Sequence, residues 1–86
     1  MSSVEEVGRK VREVLITTFE LSAEAVTPEA TLFQDLDLDS LDAIDLAVKL
    51  ESETGLKLAE EEFRSIRTVQ DVIDTIHRKM EAREAS

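Results

Sequence analysis

Hydrophobic and polar positions change their period along this chain, and the changes mark its elements. Val4, Val7, Val11, Val14 and Leu15, followed by Thr18, recur at three-and-four spacing, which predicts an amphipathic first helix. Ser3 and Glu6 stand in the S-x-x-E relation of a capping box at its start, and the pattern fades near Phe19 or Glu20. Residues 21–39 then read as a long connection. It holds the only proline, with Thr27 before Pro28 suggesting a brief cap-and-first-turn, and Leu32, Phe33 and Leu36 available to dock on the core.

Within QDLDLDSLDAIDL, residues 34–46, Asp and Leu first alternate strictly, and then Leu41, Ile44 and Val48 recur at helical spacing. The switch falls on Ser40. A second helix is therefore expected to begin at Asp39 or Ser40, with acids in its first turn, and to stop before Gly55, whose tolerance of positive φ suits the position after a helix end. A short helical turn is expected in AEEEFRSI, with Phe63 and Ile66 facing inward. The last helix opens at Thr68, whose T-x-x-D spacing to Asp71 is another capping box, and carries Val69, Val72, Ile73, Ile76 and Met80 on one face. The tail EAREAS, residues 81–86, is expected to fray. With no repeat and no linker, the reading is all-α: one domain over 1–86, a small four-helix bundle of three main helices and one short one, with a long loop between the first and second helices.

At 86 residues the chain has little interior for an enclosed catalytic pocket, so a binding or carrier module fits better than an autonomous enzyme. The absence of cysteine excludes a disulfide framework and a cysteine zinc site. No 18-residue apolar run is present, and MSSVEEVGRK lacks the layout of a secretory signal, so a cytoplasmic, monomeric protein is expected. A net charge of −10 argues against nucleic acid and anionic membranes as partners and favours basic protein surfaces. From Asp35 to Glu62 there are ten acids against Lys49 and Lys57, so most of the charge surrounds Ser40.

Several chemistries compete for that serine. Asp35, Asp37 and Asp39 match the first, third and fifth positions of a calcium loop, but Ser40 stands where the loop needs Gly and Leu46 where it needs a bidentate Glu, so no dedicated metal site is expected. A serine nucleophile would need a nearby base, and the only histidine, His77, lies at the edge of the last helix's apolar stripe, where a surface-boundary role is expected. Two readings stay open: Ser40 or Asp39 as a helix cap, and Ser40 as a substrate whose phosphorylated form sits at a helix N-terminus. The second helix leaves a similar choice. Ala43, Leu46, Ala47 and Leu50 form a core stripe, and roughly 140° away Leu41, Ile44 and Val48, interrupted by Asp42, Asp45 and Glu51, form either a wider core face or an exposed docking patch.

The run TLFQDLDLDSLDAIDLAVKLESETGLKLAEEEF, followed by TVQDVIDTI, resembles the acyl carrier proteins of fatty acid, polyketide and related lipid synthesis. In that family the serine of an Asp-Ser-Leu motif carries 4′-phosphopantetheine, donated from coenzyme A by a phosphopantetheinyl transferase. Asp39, Ser40 and Leu41 occupy the motif. The resemblance implies that the protein is no enzyme but a covalent carrier of acyl chains, with Asp42, Ile44, Asp45, Val48 and Glu51 meeting acyl-transferring and synthase enzymes through basic docking patches. An aminoacyl or peptidyl carrier, and an acidic helical interaction module with no prosthetic group, are the alternatives. The chain departs from the usual family pattern at Asp37, often Gly, at Ala59, often Pro, and in the bulk or basicity of Phe63 and Arg67.

Overall fold

The structure, a computed structural model, describes residues 4–85. Four helices follow in order: α1 (Val4–Phe19), α2 (Ser40–Thr54), α3 (Glu60–Ser65) and α4 (Val69–Ala85). The capping box read at Ser3 falls partly outside the described residues. α1 packs against α4 and, less extensively, against α2. Val7, Val11, Val14 and Leu15 from α1, Leu46 and Leu50 from α2, and Val69, Val72, Ile73 and Ile76 from α4 are buried together.

Each helix ends for an identifiable reason. After α1, Glu20 takes φ 53° and the Leu21 N–H donates to the Ile16 carbonyl at 3.2 Å, the longer bond of a Schellman motif, closed here by Glu rather than Gly. After α2, Gly55 takes φ 73° and its N–H donates to the Glu51 carbonyl at 2.8 Å. α4 is capped as its sequence predicts: the Asp71 N–H donates to Thr68 Oγ1 at 3.1 Å, and the Thr68 N–H to Asp71 Oδ2 at 3.1 Å. Its other end differs from expectation. Helix continues through Ala85, past residue 81 where fraying was expected.

The long connection, residues 20–39, runs over the end of the bundle as an anchored loop. Val26, Ala30, Leu32, Leu36 and Leu38 are buried in the common core. Phe33 does not join them and is 49% exposed, a correction to its expected docking, because its neighbour Leu32 takes the inward position. Thr31 forms an isolated antiparallel bridge with Thr68, flanked by the Leu32 N–H donating to the Arg67 carbonyl at 2.9 Å and the Val69 N–H to the Ala30 carbonyl at 3.0 Å. Arg12 adds a clamp from α1, with Nε donating to the Val26 carbonyl and Nη2 to the Ala23 carbonyl, each at 3.0 Å.

α3 is the least self-sufficient helix. Ala59 at its N-cap has no polar side chain, so only half of a capping box forms, with Glu62 Oε1 accepting the Ala59 N–H at 3.0 Å. The same oxygen receives Lys79 Nζ at 2.7 Å, which ties α3 to α4. Phe63 is partly buried and Ile66 fully, as their spacing suggested.

Two outcomes follow from this packing. Leu32→Ala should lower unfolding stability by about 2–5 kcal/mol in urea titrations followed by circular dichroism, whereas Phe33→Ala should cost less than about 0.5 kcal/mol. The hydrogen bond from Lys79, reinforced by the Ala59 N–H, holds the Glu62 carboxyl below its ordinary value of 4.5. Because the folded-state value is the lower one, the stabilisation is complete above pH 4.5 and is lost as the pH falls through the folded-state value. A carbon NMR titration should place the Glu62 midpoint below 4.5, and Lys79→Met should move it back up.

Candidate functional site

Which residue caps α2 decides what Ser40 is free to do. Asp39 sits in extended backbone at the N-cap, and its Oδ1 accepts the Asp42 N–H at 2.8 Å. Asp42 Oδ2 returns the bond by accepting the Asp39 N–H at 3.2 Å, completing a capping box. Asp39 is therefore the cap, and Ser40 is the first helical residue, exposed. In the first turn the N–H groups of Ser40 and Leu41 have no carbonyl four residues back within the helix, which makes this end of α2 a favourable place for a phosphate. The Asp42 carboxylate, expected only as a partner contact, also has this structural task.

Asp37 explains its own departure from the family pattern. It takes φ 55°, the left-handed region where Gly is unstrained and where Asp is among the few other residues tolerated. Its neighbours in the acidic ladder have separate tasks: Asp35 Oδ2 accepts the Thr31 N–H at 2.8 Å, while Asp39 caps α2. Among the described residues no group of three or more His, Cys, Asp or Glu is placed to hold a metal ion. His77 is on α4, with Nδ1 3.2 Å from a Glu81 carboxylate oxygen.

α2 divides into two faces. Ala43, Leu46 and Leu50 are buried, whereas Leu41, Ile44 and Val48 are 74%, 56% and 58% exposed. The second stripe is thus an open apolar patch and not an extension of the core. Asp45 and Glu51 are exposed on the same helix, giving the patch a charged border. Beside it runs a groove of about 590 Å³. Ser40, Ala43 and Ile44 line it from α2, Glu60, Phe63 and Arg64 from α3, and Phe33 and Ile66 from the segments outside the helices. Sequence reasoning left Phe33 and Arg64 out of the site. An aromatic in a polar loop next to the Asp-Leu ladder was the available signal for the first, and nothing local marks the second.

A small helical protein whose exposed serine opens a helix beside an apolar groove has the form of a prosthetic-group carrier. Residues 9–76 match the phosphopantetheine attachment site family. Over 71 residues the chain is 48% identical to acyl carrier protein 2 of Ralstonia nicotianae, covering 83% of this chain and 88% of that one. Over 77 residues it is 39% identical to the acyl carrier protein of Thermosynechococcus vestitus, covering 90% and 95%. The solved structure of the acyl carrier protein from Enterococcus faecalis is similar with a TM-score of 0.75 at 29% identity, covering 91% of this chain and 99% of that one. The chain belongs to the acyl carrier proteins, which carry acyl groups on phosphopantetheine and are carriers rather than catalysts. No helix among the described residues is long and apolar enough to cross a membrane.

The two faces of α2 should respond differently to truncation. Leu46→Ala should cost about 2–5 kcal/mol of stability, and Leu41→Ala less than about 0.5 kcal/mol, in thermal or urea melts of the unloaded protein.

Proposed function

We propose that Ser40 is the residue that receives the phosphopantetheine arm, as the substrate of a phosphopantetheinyl transferase. The observation that carries this reading is the division of labour at the start of α2: Asp39 and Asp42 cap the helix, and the Ser40 hydroxyl is left exposed with no capping duty. In the loading step the Ser40 oxygen forms a new bond to the phosphorus of coenzyme A that bears the pantetheine. The bond from that phosphorus to the oxygen of adenosine 3′,5′-bisphosphate breaks, and the hydroxyl proton passes to the transferase or solvent.

The residues around Ser40 fit such a group. First-turn N–H groups and the positive end of the α2 dipole favour the phosphodiester, and the groove offers apolar walls beside it. When attached, the arm supplies a thiol on which acyl groups are held as thioesters. What the chain's own residues do is position and present. Asp39 fixes where α2 begins, Leu46 and Leu50 fix its rotation against the core, and that rotation turns Leu41, Ile44 and Val48 outward.

Synthase and transferase enzymes are the partners an acyl carrier role implies. We assign their docking to that apolar patch, with Asp45 and Glu51 as its rim and Asp42 contributing what its capping bond leaves free. An apolar centre with a charged border is the anatomy of a protein interface, and rim charges mainly speed encounter with basic surfaces. A monomeric, cytoplasmic carrier with a single domain over 1–86 belongs to the same proposal.

Incubation with coenzyme A and a broad-specificity transferase, followed by mass spectrometry, tests the assignment. Wild type should gain the mass of one arm, and Ser40→Ala none; an arm on Ser40→Ala would move the site elsewhere. Asp45→Lys should fold normally, within about 0.5 kcal/mol of wild type, yet load several-fold more slowly.

A further inference from the structure

In a chain of net charge −10, a depression that contains two arginines and no acid is an exception. One lies at the far end of the Ser40 groove, about 430 Å³ in volume, lined by Thr31, Phe33, Gln34, Arg64, Ile66 and Arg67. Phe33, Arg64 and Ile66 also line the groove itself, so the two join into one track from Ser40 to Arg67. Its character changes along the way. Near Ser40 it is walled by Ala43, Ile44 and Phe63, with Glu60 the one acid that lines it, and at the far end by guanidinium and neutral polar groups.

The two arginines are differently engaged. Arg64 Nη2 lies 2.6 Å from Glu60 Oε1, but both side chains of this pair are about three-quarters exposed, so it is weak and exchanges readily for another carboxylate. Arg67 is exposed and takes no part in the ion pairs made by Lys10, Arg64, His77 and Lys79. The nearby Asp71 has its Oδ2 engaged by the N–H groups of Arg67 and Thr68, capping α4.

We infer that this track favours acyl cargo whose far end carries a free carboxylate, the half-thioesters of dicarboxylic acids, with the chain's apolar stretch along Phe33 and Ile66 and its carboxylate on Arg67. The inference rests on the attachment at Ser40 proposed above: the arm is anchored at the near end of the track, and the cargo on the thiol at the arm's other end folds back into it. A planar guanidinium takes a carboxylate through two parallel hydrogen bonds, a recognition that a methyl end cannot use. Arg64 is the second donor, released from Glu60 when the cargo is present. Phe33, exposed in the free protein, gains apolar cover.

The test compares two cargoes of equal length, octanoyl and octanedioyl, each transferred from its coenzyme A derivative onto the full chain and verified by mass. The octanedioyl form should melt about 2–5 °C above the octanoyl form and shift the Arg67 side-chain and Phe33 amide NMR signals. Arg67→Gln should abolish the difference, and Arg67→Lys, which keeps the charge but not the fork, should keep part of it. Melts of the unloaded variants show whether either substitution disturbs the fold itself. Equal melting of the two loaded wild-type forms, or a difference that survives Arg67→Gln, overturns the inference alone. A chain that gains no mass, or gains it on Ser40→Ala, overturns the attachment reading and this inference with it.

Discussion

The backbone bridge between the long loop and the start of α4 is what gives Ser40 a fixed place. A segment of this length loses much conformational freedom on folding, and without anchors it would leave the start of α2 undefined. The Leu32 and Val69 N–H groups pair with carbonyls of Arg67 and Ala30, and the Gln70 N–H donates to the Pro28 carbonyl at 2.9 Å. Five buried side chains, Val26, Ala30, Leu32, Leu36 and Leu38, drive apolar surface inward on the same segment. Hydrogen bonds set the register of the loop, and burial supplies the driving force. Once Leu38 is seated, with its N–H on the Leu32 carbonyl at 3.0 Å, Asp39 and Ser40 follow at a determined position.

From that fixed point α2 has one rotation that buries Ala43, Leu46 and Leu50, and the same rotation sends Leu41, Ile44 and Val48 to the surface. Core and patch are therefore not independent features. Four large apolar residues, counting Phe33, stand exposed on or beside one helix in a domain this small, a concentration that supports the docking proposed for it. The acids interleaved with the patch set like charges beside it, which opposes the pairing of two such patches. Acids at such a border can meet a basic surface without burying charge deeply, which suits contacts that form and break repeatedly.

Helix identity was legible because capping and period agree. The T-x-x-D signal at Thr68, Gly55 after α2, and the period switch at Ser40 each rest on local chemistry that the folded chain uses unchanged. Ser40 itself stood out for the same reason. What stayed hidden depends on residues distant in sequence. The Thr31–Thr68 bridge has no local signature, and the choice between Leu32 and Phe33 for the core is made by loop geometry rather than by hydrophobicity. Whether Leu41, Ile44 and Val48 faced core or solvent was undecidable from period alone, since both stripes repeat at helical spacing. The positive φ at Asp37 was visible only as a departure from a family habit.

Charge is distributed along the site in a way that composition conceals. The net excess of acid is concentrated from the loop through α2 into the start of α3, yet the last turn of α3 and the segment after it carry Arg64 and Arg67. The attachment and docking proposed above would bring two kinds of partner to this end: enzyme surfaces on α2, and cargo tethered through Ser40. Opposite charges on the two sides of one groove would keep those encounters apart, because a basic surface is drawn to the acids of α2 and repelled from the arginines, while an anionic group has the reverse preference. The groove wall formed by α3 rests on only a six-residue helix with half a cap, tied to α4 by the Glu62–Lys79 contact and to the core by the partly buried Phe63. A wall with so few ties has less to lose by shifting its distance from α2 than α1, α2 or α4 have, since their buried residues make up most of the common core.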